Sequence, residues 1–568
     1  GNYLARTDVR TDNYQMNFTV NYARDFGLHN VQALFSIEKS EAESEYQRSS
    51  VTNPYEFTTG QSNSADGTQT GVFTRSESGS LSYIGRVNYS YAGRYLFEFL
   101  MRADASQKFS PENRWGYFPA TSIGWIASEE KWFKKAMPWW NFLKFRASFG
   151  LTGRDNTTAW QWMQVYAQDK NRGVLFGDYT KDTGNRITIN KNNSAVNRDI
   201  TWDKSYKFNF GIDNRFLNNR LSVGLDFYRE WNRDMLINIL QVVPSTVGTQ
   251  SAASNNGEID NWGWELSLGW RDKIGKDFKY NIGINTGYSD NKVLRMDFDQ
   301  NFYYRQIQRN GRTDIGTWGM QCIGMFRSFQ DIDEYFTKYH ITSYMGMSKD
   351  QVRPGMLIYK DVRGSQHTDA NGKIYYDGPD GIVDRDNDQV QLGHRGNIYG
   401  FTLNAGGSWK GLSFQLQFGA HWGGYTTVPA QALTASAIEY TNMPSFWNPD
   451  NVFVYQNVYD GQGNLIQAAN RNACLPNPGY SINIVASSFW RISAAQVTLN
   501  RLTLAYSLPK AWLKALGIGI QNVRLNLTGQ NLINFYNPYP DNFYSPYAGT
   551  YGNYPNLRKW TLGVNVSF

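Results

Sequence analysis

Nowhere in the 568 residues does an apolar run approach the roughly 18 that a membrane-crossing helix needs, which excludes helical spans. Cysteine is nearly missing. Cys322 and Cys474 are the only two, too few for a disulfide scaffold or a cysteine-based zinc site, though one disulfide between two different loops stays open. The five histidines, His29, His340, His367, His394 and His421, include no pair at metal-motif spacing. No nucleophile elbow, Walker loop or dinucleotide fingerprint occurs, so catalysis has no support. Blocks of like charge are missing too. The 56 basic and 49 acidic residues, net +7, are dispersed, which argues against a nucleic-acid partner. No linker or composition shift divides the chain, so a length that suggests several domains reads as one large unit. The opening GNYLARTDVR has no apolar leader, so an exported protein of this kind is expected to be either mature or a piece of something longer.

What is present is aromatic and alternating. Tyr, Phe and Trp make up 16 % of the chain, a composition that suits strands and membrane-interface girdles. The last residues place Trp560, Leu562, Val564, Val566 and Phe568 on one face and Thr561, Gly563, Asn565 and Ser567 on the other. This period of two marks a strand with one apolar and one polar face. Residues 412–422 repeat it, with Leu412, Phe414, Leu416, Phe418 and Trp422 against Ser413, Gln415, Gln417 and His421. Residues 262–271 and 278–288 do the same, and 206–213 and 221–227 follow. Lipid on one side and water on the other accounts for this pattern, and hydropathy averaged over both faces hides it.

Tight turns at Asp25-Phe26-Gly27, Ala92-Gly93-Arg94, Leu217–Arg220 and Lys410-Gly411 alternate with long polar segments at 43–77, 155–200, 232–257, 292–397, 424–487 and 532–556. Outer-membrane barrels have short periplasmic turns and long external loops, so the long segments are placed outside. Two connections, Ser128–Trp140 and Leu508–Gly517, read as short helical turns on the periplasmic side. The count is about fifteen strands. An odd number cannot close a bacterial single-chain barrel, and parity puts Gly1 and Phe568 at opposite rims. The predicted fold is all-β: a transmembrane antiparallel β-barrel segment.

Several stretches resemble the SusC/RagA-like TonB-dependent outer-membrane transporters of Bacteroidota. They are WGYFPATSIGWIASEEKWFK (Trp115–Lys134), LKFRASFGLTGRDN (Leu143–Asn156), GPDGIVDRDND (Gly378–Asp388), the run Ser488–Leu532 with AYSLPKAWLKALGI and VRLNLTGQNL, and the final WTLGVNVSF. The resemblance implies that residues 1–568 are the C-terminal part of a 22-stranded barrel whose plug and remaining N-terminal strands are not in this chain. It also implies an active importer of nutrient oligomers, glycan or peptide, with a SusD-like lid lipoprotein and TonB acting through the plug. The family's acidic loop is interrupted here, with Asp361–Gly364 separated from Asp380-Gly381 by an insertion. A passive porin and an outer-membrane enzyme are the alternatives.

Candidate site residues follow from the phase. Glu230, Glu265 and His421 lie on polar faces and are candidate substrate contacts, with Trp160 and Trp162, loop aromatics suited to stacking on cargo. Trp262, Trp264, Trp422 and Trp560 are expected in the outer girdle. Asp377, Asp380, Asp384, Asp386 and Asp388 supply hard oxygen ligands at alternating spacing, which makes calcium a possible ion in this loop, although the pattern lacks the bidentate glutamate. No other cofactor is expected.

Overall fold

The computed structural model describes residues 3–55, 65–157, 159–164, 166–169, 175–176, 185–186, 188–191, 196–237, 253–434, 444–515, 519–540 and 557–568. Parts of the segments 43–77, 155–200, 232–257, 424–487 and 532–556 therefore lie outside the described residues. One antiparallel sheet of 15 strands dominates, and its strands lie side by side in sequence order. They are β1 Tyr3–Phe26, β2 His29–Thr52, β3 Gln69–Tyr91, β4 Tyr95–Ser106, β5 Trp115–Ile126, β6 Trp140–Arg154, β7 Asp203–Phe216, β8 Leu221–Ile237, β9 Ser254–Ile274, β10 Phe278–Arg295, β11 Tyr399–Trp409, β12 Leu412–Trp422, β13 Gln496–Ser507, β14 Asn522–Tyr536 and β15 Lys559–Ser567.

The turns explain the hairpins. Lys410 and Gly411 join β11 to β12 with φ of 45° and 90°, and Ala92 and Gly93 turn β3 into β4 with φ of 51° and 66°. Paired positive φ values give the turn twist that matches right-handed strands. At the same rim, short helices occupy Lys131–Ala136 and Lys510–Ala515, as expected for the two intermediate connections. The opposite rim carries every longer connection. Tyr3 therefore starts at the loop rim and Phe568 ends at the turn rim, as parity requires.

Register aligns the apolar phases of successive strands. One row runs Phe97, Ile123, Ala147, Phe210, Phe227, Trp264, and another Leu268, Ile284, Leu403, Phe418, Leu499, Ile533. None of these side chains is buried, Ile123 is 59 % exposed, and on the same phase of the last strand Leu562 is 76 % exposed. So continuous an apolar exposure suits lipid and not water. The expected girdle tryptophans, Trp262, Trp264, Trp422 and Trp560, are all exposed. Tyr399 links Tyr288 to Trp422 at centroid spacings of 6.1 and 6.3 Å. Toward the turn rim, Trp139 stacks on Phe216 and Trp270 donates to the Tyr280 hydroxyl. From Trp262 to Trp270 is about 27 Å along a strand, or near 20 Å after tilting, the scale of an outer-membrane apolar band.

Two expectations are corrected and one open question is answered. The loop placed at 43–77 is shorter, because β2 continues to Thr52 and β3 resumes at Gln69 in unbroken register with it. Above the membrane neither face needs to be apolar, so Glu41, Glu43 and Glu45 continue the strand without alternation. The disulfide left open between Cys322 and Cys474 is not formed; both thiols are free.

The other correction concerns the segments 296–398 and 423–495, which are more than polar loops. They share one hydrophobic core of Met320, Phe326, Ile332, Tyr335, Phe336, Ile341, Tyr344, Val352, Met356, Leu357, Tyr359, Val383, Ile482 and Val485. A second cluster gathers Val428, Ala432, Leu433, Phe446, Trp447 and Trp490. Three tyrosines place their hydroxyls on backbone carbonyls inside: Tyr335 on Tyr359, Tyr344 on Leu357 at 2.6 Å, and Tyr359 on Ile482 at 2.9 Å. Asn483, 1 % exposed, pins the halves together by accepting from Leu357 N and donating to Gly355 O. The helix Phe329–Lys338 begins with a reciprocal Ser328–Asp331 capping box. The insertion in the acidic segment is a hairpin of Gln366–Thr368 and Ile374–Tyr376.

Candidate functional site

The polar phase of the same strands forms the other face of the sheet, and two cavities lie along it. The one nearer the loop rim, about 470 Å³, is lined by Glu265, Ser267, Asn285, Thr286, Thr402 and His421 among others. Two of the candidate contacts, Glu265 of β9 and His421 of β12, are thus brought to a single cavity across four strands. Gly400 allows this, because a Cβ there would collide with His421 Nδ1. Gln415 lines the second cavity, whereas Leu416 belongs to the apolar phase with Ala405 and Leu502.

Glu230 is held differently. Its carboxylate accepts from Ser205 Oγ and stands 3.7 Å from Lys207 Nζ and 3.8 Å from Arg154. Beside it lies a bracing network that the candidate residues did not include. Arg146 reaches Asp226 at 2.7 Å, Asp213 at 3.1 Å and Asn209 at 3.3 Å, tying β6, β7 and β8 together. The phase of LKFRASFG puts Arg146 on the polar face, so the signal was available. Its partners lie 67 and 80 residues away, and spacing could not reveal them. Trp160 and Trp162 sit apart from both cavity linings, in the β6–β7 connection, with ring centroids 6.3 Å apart and the Arg198 guanidinium 5.7 Å over Trp162.

The acidic segment does not fit calcium as it is arranged. Among the described residues no group of three or more His, Cys, Asp or Glu converges to hold a metal. The carboxylates instead serve the backbone. Asp388, fully buried, accepts from Val362 N, Arg363 N and Asp384 N at 2.7, 3.1 and 2.8 Å. Asp384 accepts from the amides of Asp386 and Asn387, and Asp380 from that of Ile382. Asp377 pairs with His367 at 2.6 Å and Asp386 with Arg305 at 3.6 Å. Asp361, buried as well, accepts from Gly381 N. Burial pushes the carboxyls of Asp361 and Asp388 above their ordinary value, against the backbone amides that favour the charged form. Cys322, half-buried beside this core, is pushed up by the same cause.

Residues 1–318 match the model of the TonB dependent receptor-like β-barrel family. The chain belongs to that family. Among similar proteins, TonB-dependent receptor P3 of Formosa agariphila is 26 % identical over 599 residues, covering 100 % of this chain and 53 % of the relative. TonB-dependent receptor SusC of Bacteroides thetaiotaomicron is 30 % identical over 310 residues, 53 % of this chain and 29 % of SusC. Among solved structures, the RagAB peptide transporter superposes with a TM-score of 0.71 at 20 % identity, covering 100 % of this chain and 56 % of that one. Within the family the chain is of the SusC/RagA-like kind, and its sheet is an outer-membrane β-barrel wall. It spans about half the length of the two Formosa receptors it matches end to end.

Proposed function

We propose that this chain is the barrel wall and external cap of an active importer of nutrient oligomers. One observation carries the reading. A continuous 15-stranded sheet turns apolar rows to lipid and a polar, cavity-lined face away from it, and two loops rise from it into a domain with its own core. Among the described residues β1 pairs only with β2, and β15 only with β14. Exposed ladder groups in hydrocarbon cost several kcal/mol each, roughly the strength of an unpaired amide in an apolar medium. Further strands of the same transporter are therefore proposed to close the barrel between β1 and β15, around a plug that TonB acts on. Residues 1–568 are accordingly proposed to be one C-terminal barrel domain, with loops outside.

Glu265, His421 and Glu230 are proposed to contact cargo on its way through, and Trp160 and Trp162 to meet it at the loop rim. A SusD-like lipoprotein is the proposed lid over the loop domain. Cargo of peptide or glycan class is expected, and the fold likeness to a peptide transporter favours peptide. The test is uptake of labelled oligopeptides and oligosaccharides by cells carrying the full-length transporter, with and without TonB and with the proton gradient collapsed. Uptake that stops without TonB and co-purification of a surface lipoprotein are expected. Uptake indifferent to both treatments would identify a passive pore instead.

A further inference from the structure

Charge is spread unevenly along the polar face. From β4 to β8 three of its cations have carboxylate partners: Arg102 has Asp104 and Glu38, Arg146 has Asp213 and Asp226, and Lys207 has Glu230, while Arg215 lies over the Phe142 ring. From β9 to β14, near the turn rim, cations crowd together with few carboxylates between them. A cavity of about 710 Å³ there is lined by five cationic side chains, Arg220, Arg271, Lys273, Lys279 and Arg524, and by a single carboxylate, Asp272. Asp272 is already committed to Arg220 at 3.0 Å. Arg271 donates to Asn219 O at 3.0 Å and Arg524 to Ser413 Oγ at 3.2 Å, both neutral acceptors.

Lys273 and Lys279 face each other directly across the β9–β10 ladder, and neither forms an ion pair among the described residues. Like charges at directly opposed positions destabilise a sheet. An anion lying between them reverses that sign, because each ammonium then has a counter-charge at close range.

We propose that this cavity binds a carboxylate-bearing group, seated between Lys273 and Lys279 with Arg271 and Arg524 flanking it. The proposal rests on the reading of the polar face as the barrel interior. Such a carboxylate arrives either on acidic cargo leaving toward the turn rim or on a polypeptide segment lying inside the barrel. The recognition chemistry is the same.

The full-length transporter in detergent, at low ionic strength, tests it without energised uptake, so a failure here is separate from a failure of the importer reading. Binding of fluorescein-labelled tetraglutamate is followed by anisotropy, and thermal midpoints are recorded for the parent, K279Q, K273Q/K279Q and K273R/K279R. Free cargo as the source predicts probe binding that weakens about tenfold or more in K273Q/K279Q, is kept in K273R/K279R and fades with salt. An internal segment as the source predicts no probe binding but a lower midpoint in both glutamine variants, restored by arginine. The proposal is overturned if the probe binds all variants equally. It is also overturned if the probe does not bind and the glutamine variants melt at the same or a higher temperature, since relief of bare lysine repulsion raises the midpoint.

Discussion

The sheet and the loop domain are built by opposite rules. In the sheet, each residue's environment follows from its neighbour two positions away, and strands contact those adjacent in sequence. In the loop domain, Tyr344 and Tyr359 are completely buried in a core that takes Ile482 and Val485 from a segment that starts after two intervening strands. The wall is held by register and by a lipid solvent. The loop domain is held by packing, as in a water-soluble protein. Disruption of one is therefore expected to leave the other largely intact.

The largest expected effect separates them. Tyr344→Ala removes a fully buried ring and the hydroxyl that bridges Leu357 O and Tyr359 N. A loss of about 5–7 kcal/mol from the loop domain is expected, since aromatic-to-alanine cavities cost ~3–5 and each of the two hydrogen bonds ~1. The urea midpoint for cleavage of the loops by a brief protease pulse should fall, while heat-resistant migration of the barrel persists. Loss of the barrel band as well would mean the two regions fold as one.

Next is Leu416→Lys, expected to cost ~2–4 kcal/mol because a cation then faces mid-membrane lipid. Refolding into vesicles should slow or fail, whereas Gln415→Lys, one position along, should refold like the parent. Equal impairment by both would overturn the assigned phase.

Asp388→Ala strips the acceptor from three backbone amides inside the loop domain. About 2–3 kcal/mol is expected, because each buried donor left unpaired costs ~1–3 and some regain water. The protease-pulse midpoint checks this too, with no change in the barrel.

The smallest effect is one of sign. Burial raises the carboxyl pKa of both Asp361 and Asp388, so the folded loop domain binds protons more tightly than the unfolded chain. Stability from these groups is then full below the ordinary carboxylate value and declines as pH rises through the raised values. The loop midpoint, equilibrated at each pH before a neutral protease pulse, is expected to be higher in mild acid than at neutrality. Asp361→Asn, which keeps an oxygen for Gly381 N, should flatten that slope.

The same contrast explains what could be read without coordinates. Leu416 and Gln415 betray their faces because a lipid boundary enforces strict alternation, and fifteen strands could be counted from it. Turn chemistry at Lys410-Gly411 placed the rims. Beyond the membrane the constraint lapses, so the glutamate-rich end of β2 read as loop although it is strand. Tyr344, Phe326 and Ile482 share a core without sharing a periodicity, and no local pattern marks them. Glu265 and His421 were legible as polar-face residues, but their meeting depended on register across β9 to β12. Asp388 looked like a metal ligand because carboxylates that cap amides use the same residue types.

The amide of Cys322 donates to Ser488 Oγ, and these partners are 166 residues apart. This sets an order of assembly. Each hairpin of the wall closes a short loop at small entropic cost, but the contacts between 296–398 and 423–495 require β11 and β12, which lie between them, to be already in place. The loop domain therefore matures after the β11–β12 hairpin has formed. A chain in which Ile482 and Val485 have not yet met the core of 320–383 would carry an unfinished, sticky surface above its strands, an obvious substrate for surface proteases.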